Sequence, residues 1–244
     1  VIYFCGNSLG LQPKSVRDIL DKELKVWQEI GVLGQENRWI KYHEKLAVPT
    51  ANIVGAKPSE VVIMNALTVN IHLLLVSFYR PTNKKYKIII EKGAFPSDQY
   101  AVESQLEFHG FNKKDALIEI EPQKGSEIIR EVDILKAIKK NSSEVALIYL
   151  GGINYLTGQL FNMKGITAKA KKYGIAVGFN LAHCAGNVEL FLHKWGVDFA
   201  SWCSYKYLCA GPGSPSGVFV HEKHHKWMGP VSYTHLTLPT IMPV

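Results

Sequence analysis

The run "ITAKAKKYGIAVGFNLAHCAGN", residues 166–187, reads as a helix, a buried strand and a polar cluster in immediate succession. "ITAKAKKYG" (166–174) is a helix with a Lys-rich face, and "IAVGFN" (175–180) is a strand that ends on Asn180. Just beyond, His183 and Cys184 stand among small residues. The plain reading is a strand ending in a solvated turn. The sharper one is that Asn180 and His183 form half of a cofactor site.

The same alternation extends outward in both directions. Upstream, "EVALIYLGG" (144–152) reads as a strand, "EVDILKAIKKN" (131–141) as a helix, and "KYKIIIEK" (85–92) as a strand. Between the last two, "SDQYAVESQLEFHG" (97–110) reads as a helix with Ser97 or Asp98 available to cap it and Gly110 to end it. "EVVIMN" (60–65) is a strand, followed by "TVNIHLLLVSFY" (68–79), a buried helix that opens at Thr68 and stops before Pro81. Downstream, "HKWGVDFASWCS" (193–204) holds a strand, "YKYLCAGPGSPSG" (205–217) a glycine-rich loop, and "VFVHEK" (218–223) a final strand. Strands alternating with helices predict an α/β fold, a mostly parallel sheet flanked by helices.

The ends read differently. "VIYFC" (1–5) is strand-like, whereas "VSYTHLTLPTIMPV" (231–244) continues no helical or strand period and resembles translated sequencing-adapter sequence. The expected division is a large domain over residues 1–228 and a non-native tail over 229–244.

Composition narrows the function classes. With 244 residues, 47% hydrophobic and 20% charged, the chain can bury a sizeable core. No apolar run approaches the roughly 20 residues that span a bilayer, so neither a membrane segment nor a secretory signal is read. The net charge of +7 is spread over helical faces such as "LKAIKKN" (135–141), which points away from nucleic acid and suits an anionic cofactor or substrate. Cys5, Cys184, Cys203 and Cys209 show no C-x-x-C spacing, and a reducing, cytoplasmic setting is expected.

In open α/β sheets ligands gather at the carboxyl ends of the strands. Sorted by that rule, the candidates are Asn65 with Leu67 and Thr68, the turn Phe95–Pro96–Ser97–Asp98, Asn180 with His183, and Ser204 to Tyr207. Thr68 opens a helix, whose free N–H groups and dipole favour a phosphate. Phe95 can lie on an aromatic ring. Lys206, between two tyrosines and before a glycine-rich loop, offers a partly desolvated nucleophilic amine. Taken singly these are a cap, a core ring and a solvated lysine; together they suggest pyridoxal phosphate held on Lys206.

Six stretches then resemble one family: "NSLGLQPK" (7–14), "MNALTVNIHLLL" (64–75), "FPSDQYAVESQL" (95–106), "YLTGQLFN" (155–162), "LAHCAGNVELFLHKWGVDFA" (181–200) and "WCSYKYL" (202–208). In this order they are similar to the kynureninases, pyridoxal-phosphate enzymes of the aspartate-aminotransferase fold type. The resemblance runs from about residue 2 to residue 226. It implies the fold-type I large domain, with Lys206 as the Schiff-base lysine and Tyr205 at the phosphate and assisting proton transfer. It implies Leu67 and Thr68 on the phosphate, Phe95 over the ring, Pro96, Ser97 and Asp98 in the same binding turn, and His183 close to the ring. The implied reaction hydrolyses L-kynurenine or 3-hydroxykynurenine between the β and γ carbons, giving L-alanine and anthranilate or its hydroxy derivative. A homodimer is implied, as is a C-terminal small domain with an arginine for the substrate carboxylate; that domain is not expected within this chain.

Three positions depart from the family pattern. The family has Asp where this chain has Asn180. A carboxylate beside the pyridine nitrogen favours its protonated form, and an amide keeps a hydrogen bond without the charge. Weak cofactor binding and slow or absent turnover are therefore expected, or a protein that keeps the fold only for binding, or a single-base departure in a gene fragment. Gly151 replaces a Ser near the phosphate, and Cys209 replaces the Asn of "YLN".

Two short patterns favour other chemistry. "GNSLG" (6–10) matches a nucleophile elbow with Ser8, although Pro13 delays the helix that should follow. "HEKHH" (221–225) matches the zinc pattern H-E-x-x-H, but it follows a strand where that pattern needs a helix, so a solvated surface is expected.

Overall fold

The computed structural model describes residues 2–226, so the tail expected at 229–244 lies outside the described residues. Seven strands form one sheet: β1 (Val61–Met64), β2 (Lys87–Glu91), β3 (Leu117–Ile120), β4 (Val145–Gly151), β5 (Ala176–Asn180), β6 (Phe199–Trp202) and β7 (Ser216–Val220). Their spatial order is β1-β7-β6-β5-β4-β2-β3. From β6 to β3 all neighbours are parallel, while β7 runs antiparallel to both β6 and β1. The helices are α1 (Val16–Ile30), α2 (Tyr42–Val54), α3 (Leu67–Phe78), α4 (Pro96–Phe108), α5 (Lys113–Ala116), α6 (Glu131–Lys140), α7 (Met163–Lys171) and α8 (Leu192–Trp195).

Strand side chains alternate faces, and here both faces are covered. Ile88, Ile90, Leu147, Tyr149 and Phe199 pack with Ile71, Leu74, Leu75, Val102 and Leu106 of α3 and α4. Ile89, Ile148, Leu150, Val177 and Phe179 pack on the other side with Ala51 and Val54 of α2, Ile134 and Ile138 of α6, and Ile166 and Ala170 of α7. This is why "KIIIE" and "VALIYL" are continuous apolar runs rather than alternating ones. Each fully buried Ile or Leu contributes about 1.5–3 kcal/mol of transfer free energy, so the central strands dominate the core. Gly178 is required within it: a Cβ there would come within 2.1 Å of the ring of Phe199, its register partner on β6.

The expected α/β architecture is present, with differences in detail. The helix expected from Thr68 begins at Leu67. The helix expected to be capped by Ser97 or Asp98 is not capped by either: Phe95 is the N-cap, without a side-chain hydrogen bond, and Pro96 occupies the first turn. Proline fits there because its missing N–H would be unpaired anyway. Asp98 instead turns inward. The strand-like 2–5 segment forms no strand and is exposed. Helices α1 and α2 and the short strand β3 are further elements of the fold. No residue of α1 is buried, and Ile19, Leu20, Leu24 and Trp27 are exposed.

Candidate active site

The parallel strands all end at one edge of the sheet, and a cavity of about 470 Å³ opens there. It is bounded by Asn65 after β1, Glu91 at the end of β2, Gly151 at the end of β4, Asn180 at the end of β5, and Tyr205 and Lys206 after β6. Strand β7 runs the other way, so its first residue, Ser216, reaches the same edge. Register keeps the floor level, since Gly151 pairs with Asn180 and Asn180 with Ser201.

Of the residues singled out by sequence, Leu67, Thr68, Phe95, Ser97, Asp98, Asn180, His183, Tyr205 and Lys206 all line this cavity. Pro96 does not; it serves to start α4. At one side, α3 opens into the cavity behind Ala66, which offers no side-chain cap, so the first-turn N–H groups of Leu67 and Thr68 are available to an anion. Asn65 holds the turn before α3 at φ 50°, a left-handed conformation that asparagine tolerates better than most residues. Its carbonyl accepts the Ser216 N–H at 2.7 Å, which joins β1 to β7 at the rim.

The opposite wall carries the amine. Lys206 Nζ lies 3.0 Å from His183 Nε2. Burial, and after it the positive charge of Lys206, hold the His183 imidazole below its usual pKa, so the ring is suited to accept from the lysine. Tyr205 is also held above the ordinary phenol value, first by burial and then by Cys203. The lysine's loop is braced internally: Ser204 Oγ lies 2.8 Å from Ser214 Oγ and donates to the Pro215 carbonyl at 2.5 Å. It is also braced from outside, because Gly10 donates its N–H to the Tyr205 carbonyl at 2.8 Å. A Cβ on Gly10 would lie 2.2 Å from the Lys206 carbonyl oxygen. The "GNSLG" stretch is therefore a turn packed by its last glycine under the lysine, with no strand before it and Ser8 exposed, and the nucleophile-elbow reading does not fit.

The floor holds three acid-derived groups. Asn180 Nδ2 donates to Asp98 Oδ2 at 2.7 Å, and Asn180 Oδ1 accepts the Ala182 N–H at 2.9 Å. Burial pushes Asp98 up to about 6, against the hydrogen bonds from Asn180 and Ser97 and the charge of Lys206. Burial likewise pushes Glu91 up to about 7, although both its oxygens accept the Gly151 N–H, at 3.0 and 3.2 Å. Glu91 was not among the sequence candidates, though it ends a strand as Asn180 does; at the close of "KIIIE" it reads as a solvated boundary. A Cβ at Gly151 would lie 2.9 Å from Glu91 Oε1, so glycine gives that carboxyl room. Tyr155, edge-on to Phe95 at 5.2 Å, is a second lining residue that sequence did not mark.

Cys209 sits at φ 55° within the lysine loop, three residues after Lys206. Asparagine enters the left-handed region more readily than cysteine, which accounts for the Asn that the resemblance leads one to expect at this position. At the far end of the sheet, "HEKHH" forms only a short 3-10 turn, Glu222–His224. His225 is exposed, but His221 faces Glu60 and His224 bonds Asp198 at 2.8 Å, so the expectation of a wholly solvated surface fails.

The family model described as aminotransferase class-V matches residues 2–233. The chain is 57% identical over 228 residues to a kynureninase of Flavobacterium psychrophilum, covering 92% of this chain and 54% of that protein. It is 54% identical, with the same coverage of each chain, to a kynureninase of Flavobacterium johnsoniae. The chain thus spans about half the length of the curated relatives it matches. Among solved structures, the cystine C-S lyase C-DES in complex with cysteine persulfide matches with a TM-score of 0.77 at 16% identity, covering 91% of this chain and 57% of that one. That likeness bears on the fold alone.

Proposed function

The chain belongs to the aminotransferase class-V family, and from that membership we propose that it forms the pyridoxal-phosphate-binding part of a kynureninase-type hydrolase. The observation that carries the reading is the approach of Lys206 to His183 within a cavity enclosed by the strand ends. The residues present fit the cofactor. The hydroxyl of Ser216, which lines the cavity, is buried and has no hydrogen-bond partner among the described residues, and the start of α3 offers free N–H groups beside it.

In this reading Leu67, Thr68 and the α3 terminus hold the phosphate, with Ser216 as a further donor. Phe95 would cover the ring, Asn180 and Asp98 would stand toward its nitrogen, Ser97 shares the turn of Phe95 and Asp98, and Tyr205 would serve the phosphate. Pyridoxal 5'-phosphate, when bound, supplies an electrophilic carbon for amines and a ring that accepts an electron pair. The chain's own part is to present the Lys206 amine, to let that amine carry a proton once it is free, and to keep His183 neutral beside it. The substrate class is L-kynurenine or 3-hydroxykynurenine, cleaved by water to L-alanine and anthranilate or 3-hydroxyanthranilate. A small domain beyond residue 228 supplies the arginine for the substrate carboxylate, and the full-length protein works as a cytoplasmic homodimer. Among the described residues no helix is long and apolar enough to cross a membrane.

A second reading, binding without turnover, is favoured by one observation: Asn180 brings no charge to the ring nitrogen, and both ends of its amide are already engaged. Borohydride reduction of the chain with pyridoxal phosphate, followed by peptide mass spectrometry, tests the cofactor reading. An adduct on Lys206 that disappears in Lys206→Ala is expected, and no adduct, or one on other lysines only, would overturn it. Anthranilate release from kynurenine by the full-length protein then separates turnover from binding.

A further inference from the structure

We propose that Glu60, His193 and His221 form a zinc-type metal site at the end of the sheet opposite the cavity. The three come from distant parts of the chain. Glu60 directly precedes β1, His221 directly follows the antiparallel β7, and His193 lies in α8, where its N–H bonds the carbonyl of Gly55 at the end of α2. The proposal is independent of the cofactor reading, since none of these residues lines the cavity.

Glu60 Oε1 lies 2.9 Å from His193 Nδ1 and 3.6 Å from His221 Nδ1, and all three atoms fall within 4.8 Å of one another. Ligands around tetrahedral Zn2+, at about 2.0–2.1 Å from the metal, stand about 3.3 Å apart, so the Glu60–His193 pair opens slightly and the wider pairs close around the ion. Two histidines and one carboxylate also match the three-ligand zinc sites that leave a fourth position for water. The carboxylate is fully buried while His193 is one-third exposed, which leaves a path for the ion.

Glu60 Oε2 accepts the Lys57 N–H at 2.9 Å, and Oε1 accepts the Glu222 N–H at 2.8 Å. His193 Nδ1 can add a proton toward Oε1. His221 Nδ1 has a single lone pair, which accepts the Lys223 N–H at 3.2 Å, so an ion bound there replaces that bond. The two imidazole centroids lie 4.9 Å apart at an interplanar angle of 24°. Zn2+ there would displace the His193 proton and tie the sheet edge to α8. The zinc-like pattern in "HEKHH" thus contributes its first histidine only, and the other two ligands come from outside it.

The experiment titrates the chelator-treated chain with Co2+ and then Zn2+. The expected result is one equivalent of Co2+ giving the visible bands of a four-coordinate ion, displaced by Zn2+, with Zn2+ raising the unfolding temperature. His193→Gln and His221→Gln should each weaken binding by more than the about 10- to 100-fold that loss of an outer-shell partner costs. Absence of binding, or binding unchanged in the double variant, would overturn the site. Should the variants fail to fold, zinc-edge X-ray absorption of the unaltered chain decides: two imidazoles and oxygen are expected, and a sulfur shell or one without imidazole overturns the proposal.

Discussion

Asn180 donates to Asp98 across 2.7 Å, and the negative charge at the cavity floor therefore sits one side chain away from the strand end. The amide orients the carboxylate without adding a second charge. That relationship makes residue 180 a measurable quantity rather than a simple loss.

Asn180→Asp should bind pyridoxal phosphate more tightly. A charge-assisted hydrogen bond exceeds a neutral one by about 0.5–2 kcal/mol, which corresponds to a roughly 2- to 30-fold lower Kd. Fluorescence titration checks this, and an unchanged or raised Kd would mean that the ring nitrogen does not stand at residue 180. In the free protein two carboxyls would then face each other and share a proton, so the variant should lose stability on raising the pH.

Glu91 gives a pH dependence of defined sign. Its pKa in the folded chain, about 7, lies above the ordinary value of 4.5 because of burial. Its favourable contribution is complete below pH 4.5 and fades as pH rises through about 7, because the unfolded chain binds fewer protons there. Glu91→Gln keeps an acceptor for Gly151 and removes the titration. Urea unfolding across this window should show a shallower decline for the variant than for the unaltered chain; parallel curves would exclude a protonated Glu91.

Cys209→Asn should stabilise the chain. A non-glycine residue in the left-handed region costs of order 1–3 kcal/mol, and asparagine recovers part of that, about 0.5–1 kcal/mol. A gain in the denaturant midpoint at constant slope is the expected outcome. A loss would show that the thiol's packing beside Gly10 outweighs the backbone strain.

Gly10→Ala should act on the lysine from a distance in sequence. The new methyl would meet backbone at Lys206 and Cys209, where nothing flexible can yield. A loss of about 1–3 kcal/mol is expected, as for other overpacked positions, together with weaker pyridoxal-phosphate binding. Normal cofactor affinity in the folded variant would release Gly10 from any role in placing Lys206.

The sheet was legible wherever both faces are buried, because "KIIIE" and "VALIYL" leave no other use for consecutive apolar residues. The strand-end rule then found Asn180, His183 and Lys206 together. It passed over Glu91, whose carboxyl reads as solvated until β4 is laid beside it and Gly151 supplies a donor. The strand β3, "LIEI", is too short and too mixed to announce itself. The Glu60 cluster was illegible for a different reason: Glu60 and His221 meet through the antiparallel pairing of β1 with β7, and His193 joins them through the contact of α8 with the end of α2, which no local pattern encodes.

That pairing also sets a timetable. On the ribosome, the parallel strands β2 to β5 find neighbours as they emerge, whereas β1 waits as a bare edge until β7 has been made. Gly10 waits longer still for Tyr205, and Asn65 waits with β1 for Ser216. The α3 side and the Lys206 side of the cavity are therefore joined only after β7 has been made. A nascent chain that has not yet made β7 carries Lys206 without a complete cavity, and the two come together only when β7 docks between β6 and β1.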